Sequence, residues 1–399
     1  MKRIGFLFLL VHLIICSTQG EICDYLWQSL DSTPYQSSLF TDSNNTYWRI
    51  RFRLPRDSKT ALKFSARFSY SRYMSFNVYD QTTLDSQHSL ADFNIQPEPG
   101  SLNPFLDGAS RDLNNRNYTV WVVPSGMKDK FSSFSNVMEY PITHQESAFQ
   151  YLEVWYRIYF PDIFSDSNGN VPLPQIESFD SDTMNKKECP ERGEIPPPEL
   201  SLSNSPPIPS EGELFFYRSP GANIYSLPDN QYLTSRLTRK KNEVYVFKFR
   251  SPQFSNTYFD HDKFNGNTQV RYWSLCLSGV NGVTGECLAD SKAKISKEGF
   301  VNVVVGAEEY RKEIESLGVN FISRGNFTLP VILYRNLLSR KSFEGNLDKI
   351  PICYPQGLSQ SADAKPFAAH HFIGDYAPLG AYCSWSEFLK NHCGVSLPF

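Results

Sequence analysis

The sequence predicts an all-β protein made of two tandem antiparallel β-sandwiches, jelly-roll-like, with few short helices. Three observations predict it. Short runs rich in Val, Ile, Tyr, Phe and Trp alternate at period two between turn residues. A similar series of such runs occurs twice. A proline-rich stretch at residues 183–212, without apolar periodicity, separates the two series as a stiff linker. The 399 residues are 40% hydrophobic and 15% aromatic, enough for two cores. The expected organisation is a signal peptide at 1–20, a first sandwich at 21–182, the linker, and a second sandwich at 213–399.

The elements follow in order. Lys2 and Arg3, an apolar stretch at 4–15, and Thr18 and Gly20 before a cleavage site have the pattern of an export signal. Twelve mostly apolar residues are too few to span a bilayer, and no later segment is long and apolar enough for a membrane helix. In the first series Asp42 precedes a strand at 48–55, followed by strands at 72–79, 118–124 and 152–160. In the second, Asp229 precedes a strand at 244–250, followed by 271–278, 300–305 and 330–335. Order and approximate spacing agree across four elements, which is the mark of an internal duplication. Helices are expected only at 307–317, stopped by Gly318, and at 384–393, closed by Gly394.

A net charge of −3 with interspersed signs leaves no footprint for nucleic acid or an anionic membrane. Export makes three sequons candidate glycosylation sites: Asn44, Asn117 and Asn326. It also makes disulfides the expected state of the cysteines. Cys276 and Cys287 are symmetric about Asn281-Gly282, the dipeptide suited to a two-residue hairpin turn. That register makes them a hydrogen-bonded pair with Cα atoms roughly 5.5 Å apart. Cys23 and Cys189, at the two ends of the first sandwich, are the candidate staple. One of Cys353, Cys383 and Cys393 is then left over.

Strand alternation separates two faces. Met74, Phe76 and Val78 oppose Tyr73, Ser75, Asn77 and Tyr79; Trp273, Leu275 and Leu277 oppose Tyr272, Ser274 and Cys276. Matching Tyr and Ser on the less apolar face of both series read first as half-buried strand residues. The functional alternative is an aromatic-floored hollow for a sugar or another small polar ligand, with Arg72, Tyr73, Ser75, Arg271, Tyr272 and Ser274 as its residues. Asp42 and Asp229 read as turn caps rather than metal ligands. His370 and His371, with Asp375 nearby, are expected on a strand, pointing to opposite faces, and so unable to share a metal. A nucleophile elbow, a zinc-protease motif and a phosphate loop are all missing from the sequence.

Asp-x-Asn-x-x-Tyr before one strand and Arg-Tyr-x-Ser on the next resemble the tandem β-sandwich domains of unknown function found in many exported bacterial proteins. Residues 70–80, 97–105, 171–176, 271–276 and 374–383 carry the likeness, which spans about residues 35–385. The resemblance implies export and a sandwich fold, and assigns no chemistry. The expected function is therefore a secreted, non-enzymatic binding or interaction protein. Its partner would be an extracellular ligand or protein, and it would need no cofactor or metal. The alternatives are a secreted carbohydrate hydrolase using paired carboxylates and a structural extracellular component.

Overall fold

The computed structural model describes residues 22–23, 27–30, 39–79, 85–142, 148–163, 166–194, 212–218, 225–238, 240, 242–327, 329–353 and 364–397. The expected signal peptide and the prolines 196–198 and 206–207 lie outside these residues. The chain is all-β. Its first half holds β1 (Gln28–Ser29), β2 (Asn45–Pro55), β3 (Thr60–Arg67), β4 (Ser71–Tyr79), β5 (Ser86–Ala91), β6 (Asn117–Pro124), β7 (Val137–Tyr140), β8 (Phe149–Pro161), β9 (Gln175–Asp180) and β10 (Glu191–Arg192). The second holds β11 (Glu213–Phe215), β12 (Asn230–Arg236), β13 (Glu243–Arg250), β14 (Tyr272–Gly279), β15 (Thr284–Ala289), β16 (Phe300–Gly306), β17 (Asn320–Ser323), β18 (Pro330–Leu337) and β19 (Leu379–Ser384).

Two sheets, ordered β1-β2-β8-β4-β5 and β7-β6-β3-β9, form the first sandwich; β12-β18-β14-β15 and β11-β19-β13-β16-β17 form the second. Apart from edge strands β1, β10 and β11, each β-number in the first order is raised by ten in the second. Even the single parallel pair recurs, β6 with β7 and β16 with β17. Period-two alternation explains the cores. Ile50, Phe52 and Leu54 of β2 and Leu152, Val154 and Tyr156 of β8 point inward against Leu62, Phe64, Val120 and Val122. Trp273, Leu275, Ile332 and Tyr334 meet Phe247, Phe249, Val303 and Val305 in the second core.

Five local expectations change. The counterpart of β2 is β12, and the run at 244–250 instead takes the place of β3. The inward positions of β12 carry only Leu233 and Ser235, so its apolar signal is weak beside that of β13. Residues 183–194, expected to open the linker, are tied to the first sandwich by β10 on β2 and by the Cys23–Cys189 disulfide. The Cys276–Cys287 disulfide forms, but its Cα atoms are 4.1 Å apart, closer to a non-hydrogen-bonded pair. The cause is the turn. Gly282 N–H returns to Gly279 O at 2.9 Å and Gly282 takes φ 80°, a longer loop with a left-handed glycine bulge that shifts the register beyond Cys276. Lastly, the helix Trp385–Asn391, capped by Ser384, ends on left-handed His392 rather than at Gly394. Its neighbour disulfide is Cys383–Cys393, which leaves Cys353 free and buried. The helix expected at 307–317 is found as a 3-10 turn at Glu308–Tyr310 followed by Arg311–Ser316. Among the described residues no helix is long and apolar enough to cross a membrane.

Candidate functional site

A third cluster joins the two sandwiches: Tyr47, Tyr73, Tyr79, Trp155, Tyr159 and Phe160 meet Tyr225, Leu227, Tyr272 and Leu337. Tyr47, Tyr73, Tyr79, Trp155 and Tyr159 are outward residues of β2, β4 and β8, Tyr272 and Leu337 are outward residues of β14 and β18, and Tyr225 and Leu227 lie just before β12. The face expected to carry an open hollow is therefore covered by the other sandwich. Arg72, Tyr73, Ser75, Tyr272 and Ser274 are fully buried, and the Arg271 side chain is 13% exposed. A ligand has no approach to them, so the hollow expected at these six residues is not present. The Tyr73, Tyr272, Arg72 and Arg271 polar groups find partners across the seam instead, while Ser75 bonds Asn77 in its own strand.

The seam is a reciprocal exchange. Tyr73 donates its hydroxyl to Asp229 at 2.6 Å, and Tyr272 donates to Asp42 at 2.9 Å. Arg72 pairs with Asp290 at 2.9 Å and Arg271 with Asp92 at 3.4 Å. Each of these arginines also donates to the other's carbonyl at 3.4 Å. Asp92 and Asp290 in turn accept the backbone N–H of Met74 and Trp273, at 2.9 and 3.2 Å. Arg157 reaches Tyr225 O, and Arg335 reaches Phe40 O. Both acceptor residues have φ 50°, which turns their carbonyls toward the partner sandwich. Asp42 still caps its own turn, as expected, accepting Asn44 N–H at 2.9 Å. A loop of the second sandwich completes the joint by stacking Phe264 on Phe105 in the first core.

Burial dominates the electrostatics here. It raises the Tyr73 and Tyr272 phenols well above their ordinary range, with the facing aspartates adding to the effect. It pushes the Asp92 carboxyl up to about 6, against the pull of Arg271 and of two backbone N–H groups. The sign of the consequence is fixed. A carboxyl that holds its proton more tightly when folded stabilises the fold at low pH, and that stability is lost as pH rises through about 6. Urea unfolding between pH 4 and 7 should show this loss, and Asp92→Asn should flatten it. A wild-type stability that rises across the same window contradicts the assignment.

Other sequence candidates separate. His370 and His371 lie on a short helix, His370–Ile373, with ring centroids 4.0 Å apart, not on a strand. His370 stacks on Phe215, and Asp375 lies 3.7 Å from Arg250. Asp42 lies beside Cys276 and Cys287, but both sulfurs are used in the disulfide. Asn117 and Asn326 are exposed. Asn44 is not: it is 4% exposed, and its side chain bonds Asp42 and accepts from Lys292.

An open cleft of about 530 Å³ lies elsewhere on the second sandwich. The connection from β13 to β14 runs twenty-one residues, where β3 reaches β4 in three. Gln253, Asn265, Asn267 and Gln269 of that connection line the cleft with Arg250, Ile295 and Tyr376. The Gln269 amide donates to the Tyr376 hydroxyl at 3.3 Å, and its oxygen accepts Gln253 N–H at 2.8 Å. Sequence reasoning missed this site because its polar residues sit in an aperiodic loop. The single available signal was the unequal length of the two connections.

No family model matches the chain. No curated protein matches it either. Among solved structures, an uncharacterised protein from Burkholderia cenocepacia is similar at TM-score 0.47 and 12% identity, over 76% of this chain and 76% of that one. The VPA0106 protein from Vibrio parahaemolyticus is similar at TM-score 0.43 and 10% identity, over 76% of this chain and 87% of that one.

Proposed function

We propose that this is an exported, non-enzymatic binding protein whose two sandwiches form one rigid body and whose ligand site is the cleft of the second. Export rests on the signal-like first twenty residues and is supported by the three disulfides among the described residues. Duplication of one sandwich is part of the reading, and the shared strand order supports it. Glycans would sit at Asn117 and Asn326, and burial argues against one at Asn44. The observation that carries the binding reading is the lining of the cleft. It presents neutral amides, three hydroxyls and one guanidinium beside apolar Phe254 and Ile295, and it includes no Asp or Glu. Such a surface suits the hydroxyl groups and apolar faces of a neutral oligosaccharide. Glycoside hydrolysis needs two carboxylates across the scissile bond, so the lining favours binding over that alternative.

Calorimetric titration of the full chain with a panel of neutral oligosaccharides tests this. The expected result is saturable binding that Asn267→Ala and Arg250→Ala weaken without lowering Tm. Binding unaffected by either change would move the site away from the cleft. Release of reducing sugar from any member of the panel would revive the hydrolase reading.

A further inference from the structure

The outer face of β2 carries Arg49, Arg51 and Arg53 at alternate positions, so all three lie on one side of the sheet. They step inward from solvent. The Arg53 side chain is 35% exposed, whereas Arg51 is 7% and Arg49 1% exposed. Arg53 has its own partner, Glu191, at 2.6 Å. The two inner guanidinium groups share a single carboxylate, Glu153, which faces Arg51 in the β2–β8 register. Arg49 Nη1 is 4.0 Å from it, too far for a hydrogen bond. Glu153 meanwhile accepts from the Trp155 indole at 2.6 Å and the Tyr225 hydroxyl at 3.1 Å. Nε and Nη1 of both Arg49 and Arg51 have no hydrogen-bond partner among the described residues.

Buried guanidinium N–H groups left unbonded are costly, and two such cations beside one carboxylate leave an excess positive charge. The ring faces offset part of this, with Arg51 4.0 Å over Tyr151 and Arg49 5.9 Å over Trp155. Arg51 has a counterpart in Arg236 of the second sandwich, but the fold does not demand Arg49. Tyr47 opposite Arg157 corresponds to Tyr232 opposite Arg335. By that correspondence Thr234, opposite Leu333, stands in the second sandwich where Arg49 stands in the first.

We propose that Arg49 and Arg51, with part-exposed Arg53 on their solvent side, form a binding site for a tetrahedral oxyanion, the phosphate or sulfate group of a ligand. Two guanidinium forks at neighbouring positions offer donors in different directions. A tetrahedral group presents oxygens to both forks, whereas a planar carboxylate is matched by one. The site is separate from the cleft of the second sandwich.

The test titrates the full chain by calorimetry and thermal unfolding with inorganic phosphate, sulfate, acetate and chloride. Ionic strength is matched, and concentrations stay below those at which salts stabilise by exclusion. Saturable binding and a raised Tm are expected with phosphate or sulfate, and neither with acetate or chloride. A preference for phosphate points to phosphorylated ligands, and a preference for sulfate to sulfated ones. Arg51→Gln should weaken binding by about tenfold or more, the worth of one charged hydrogen bond. Exposed Arg53→Gln should weaken it less. If a glutamine variant does not fold, Arg49→Lys and Arg51→Lys, which keep the charge and lose the fork, decide the matter. Equal responses to all four anions, or unchanged binding in the lysine variants, overturn the proposal.

Discussion

Arg72→Ala should lower the unfolding free energy by roughly 3–5 kcal/mol, the usual cost of removing one partner of a buried ion pair. Arg72 and Asp290 are both fully buried and 2.9 Å apart. Arg72 also donates to Thr257 at 3.0 Å and Ser291 at 2.6 Å. Its loss would strand a carboxylate whose protonation burial already favours, since Asp290 sits above its ordinary range. Replacing both partners with apolar residues of similar volume, Arg72→Met with Asp290→Leu, should recover much of that loss. The counterpart Arg271→Ala should cost less, because that pair is longer and Arg271 is part-exposed. Urea unfolding measures all three. Arg72→Ala costing under about 1 kcal/mol, the range of an exposed pair, would mean that the seam is open in solution.

Replacing Cys23 and Cys189 by Ser should be the more damaging disulfide loss. Their bond spans 166 residues, while Cys276–Cys287 spans 11 and Cys383–Cys393 spans 10. Constraint of the unfolded chain grows with the logarithm of the loop. It comes to about 5 kcal/mol for the long loop and about 3 kcal/mol for each short one. Buried Cys23 also bridges to Ile176 and packs in the first core, so packing is lost as well. Thermal unfolding of the three paired-serine variants would rank them. A long-loop variant no worse than the short-loop ones would show that native packing alone holds the ends of the first sandwich.

The fold was legible where alternation was strong. Residues 72–79, 118–124 and 152–160, and their partners at 271–278, 300–305 and 330–335, gave the sandwich, because inward Val, Ile, Phe and Trp are what a sheet face buries. β12 was not legible as the partner of β2, since its inward positions carry little apolar area. Asp92 and Asp290, the partners of the seam arginines, went unread, but other seam residues were visible: Asp before a strand and Arg-Tyr-x-Ser on a later one, in both series. Their meaning was not, because a half-polar strand face looks alike whether it meets a ligand, water or another sheet. The self-complementary set, tyrosine and arginine facing aspartates in both series, was the available hint that the two faces satisfy each other. Arg49, Arg51 and Arg53 were read as part of a strand, and only the burial and unbonded N–H groups of Arg49 and Arg51 distinguish them from a solvated row.

The exchange across the seam also sets how the polypeptide could be divided. Each half presents a tyrosine-rich face and two aspartates whose tyrosine and arginine partners lie on the other half. Either one made alone would expose an adhesive and incompletely bonded surface. Produced together from a chain cut between residues 194 and 212, the two pieces carry matched faces in fixed register and no shared disulfide among the described residues. That is the requirement for a split protein whose fragments report their meeting by regaining structure.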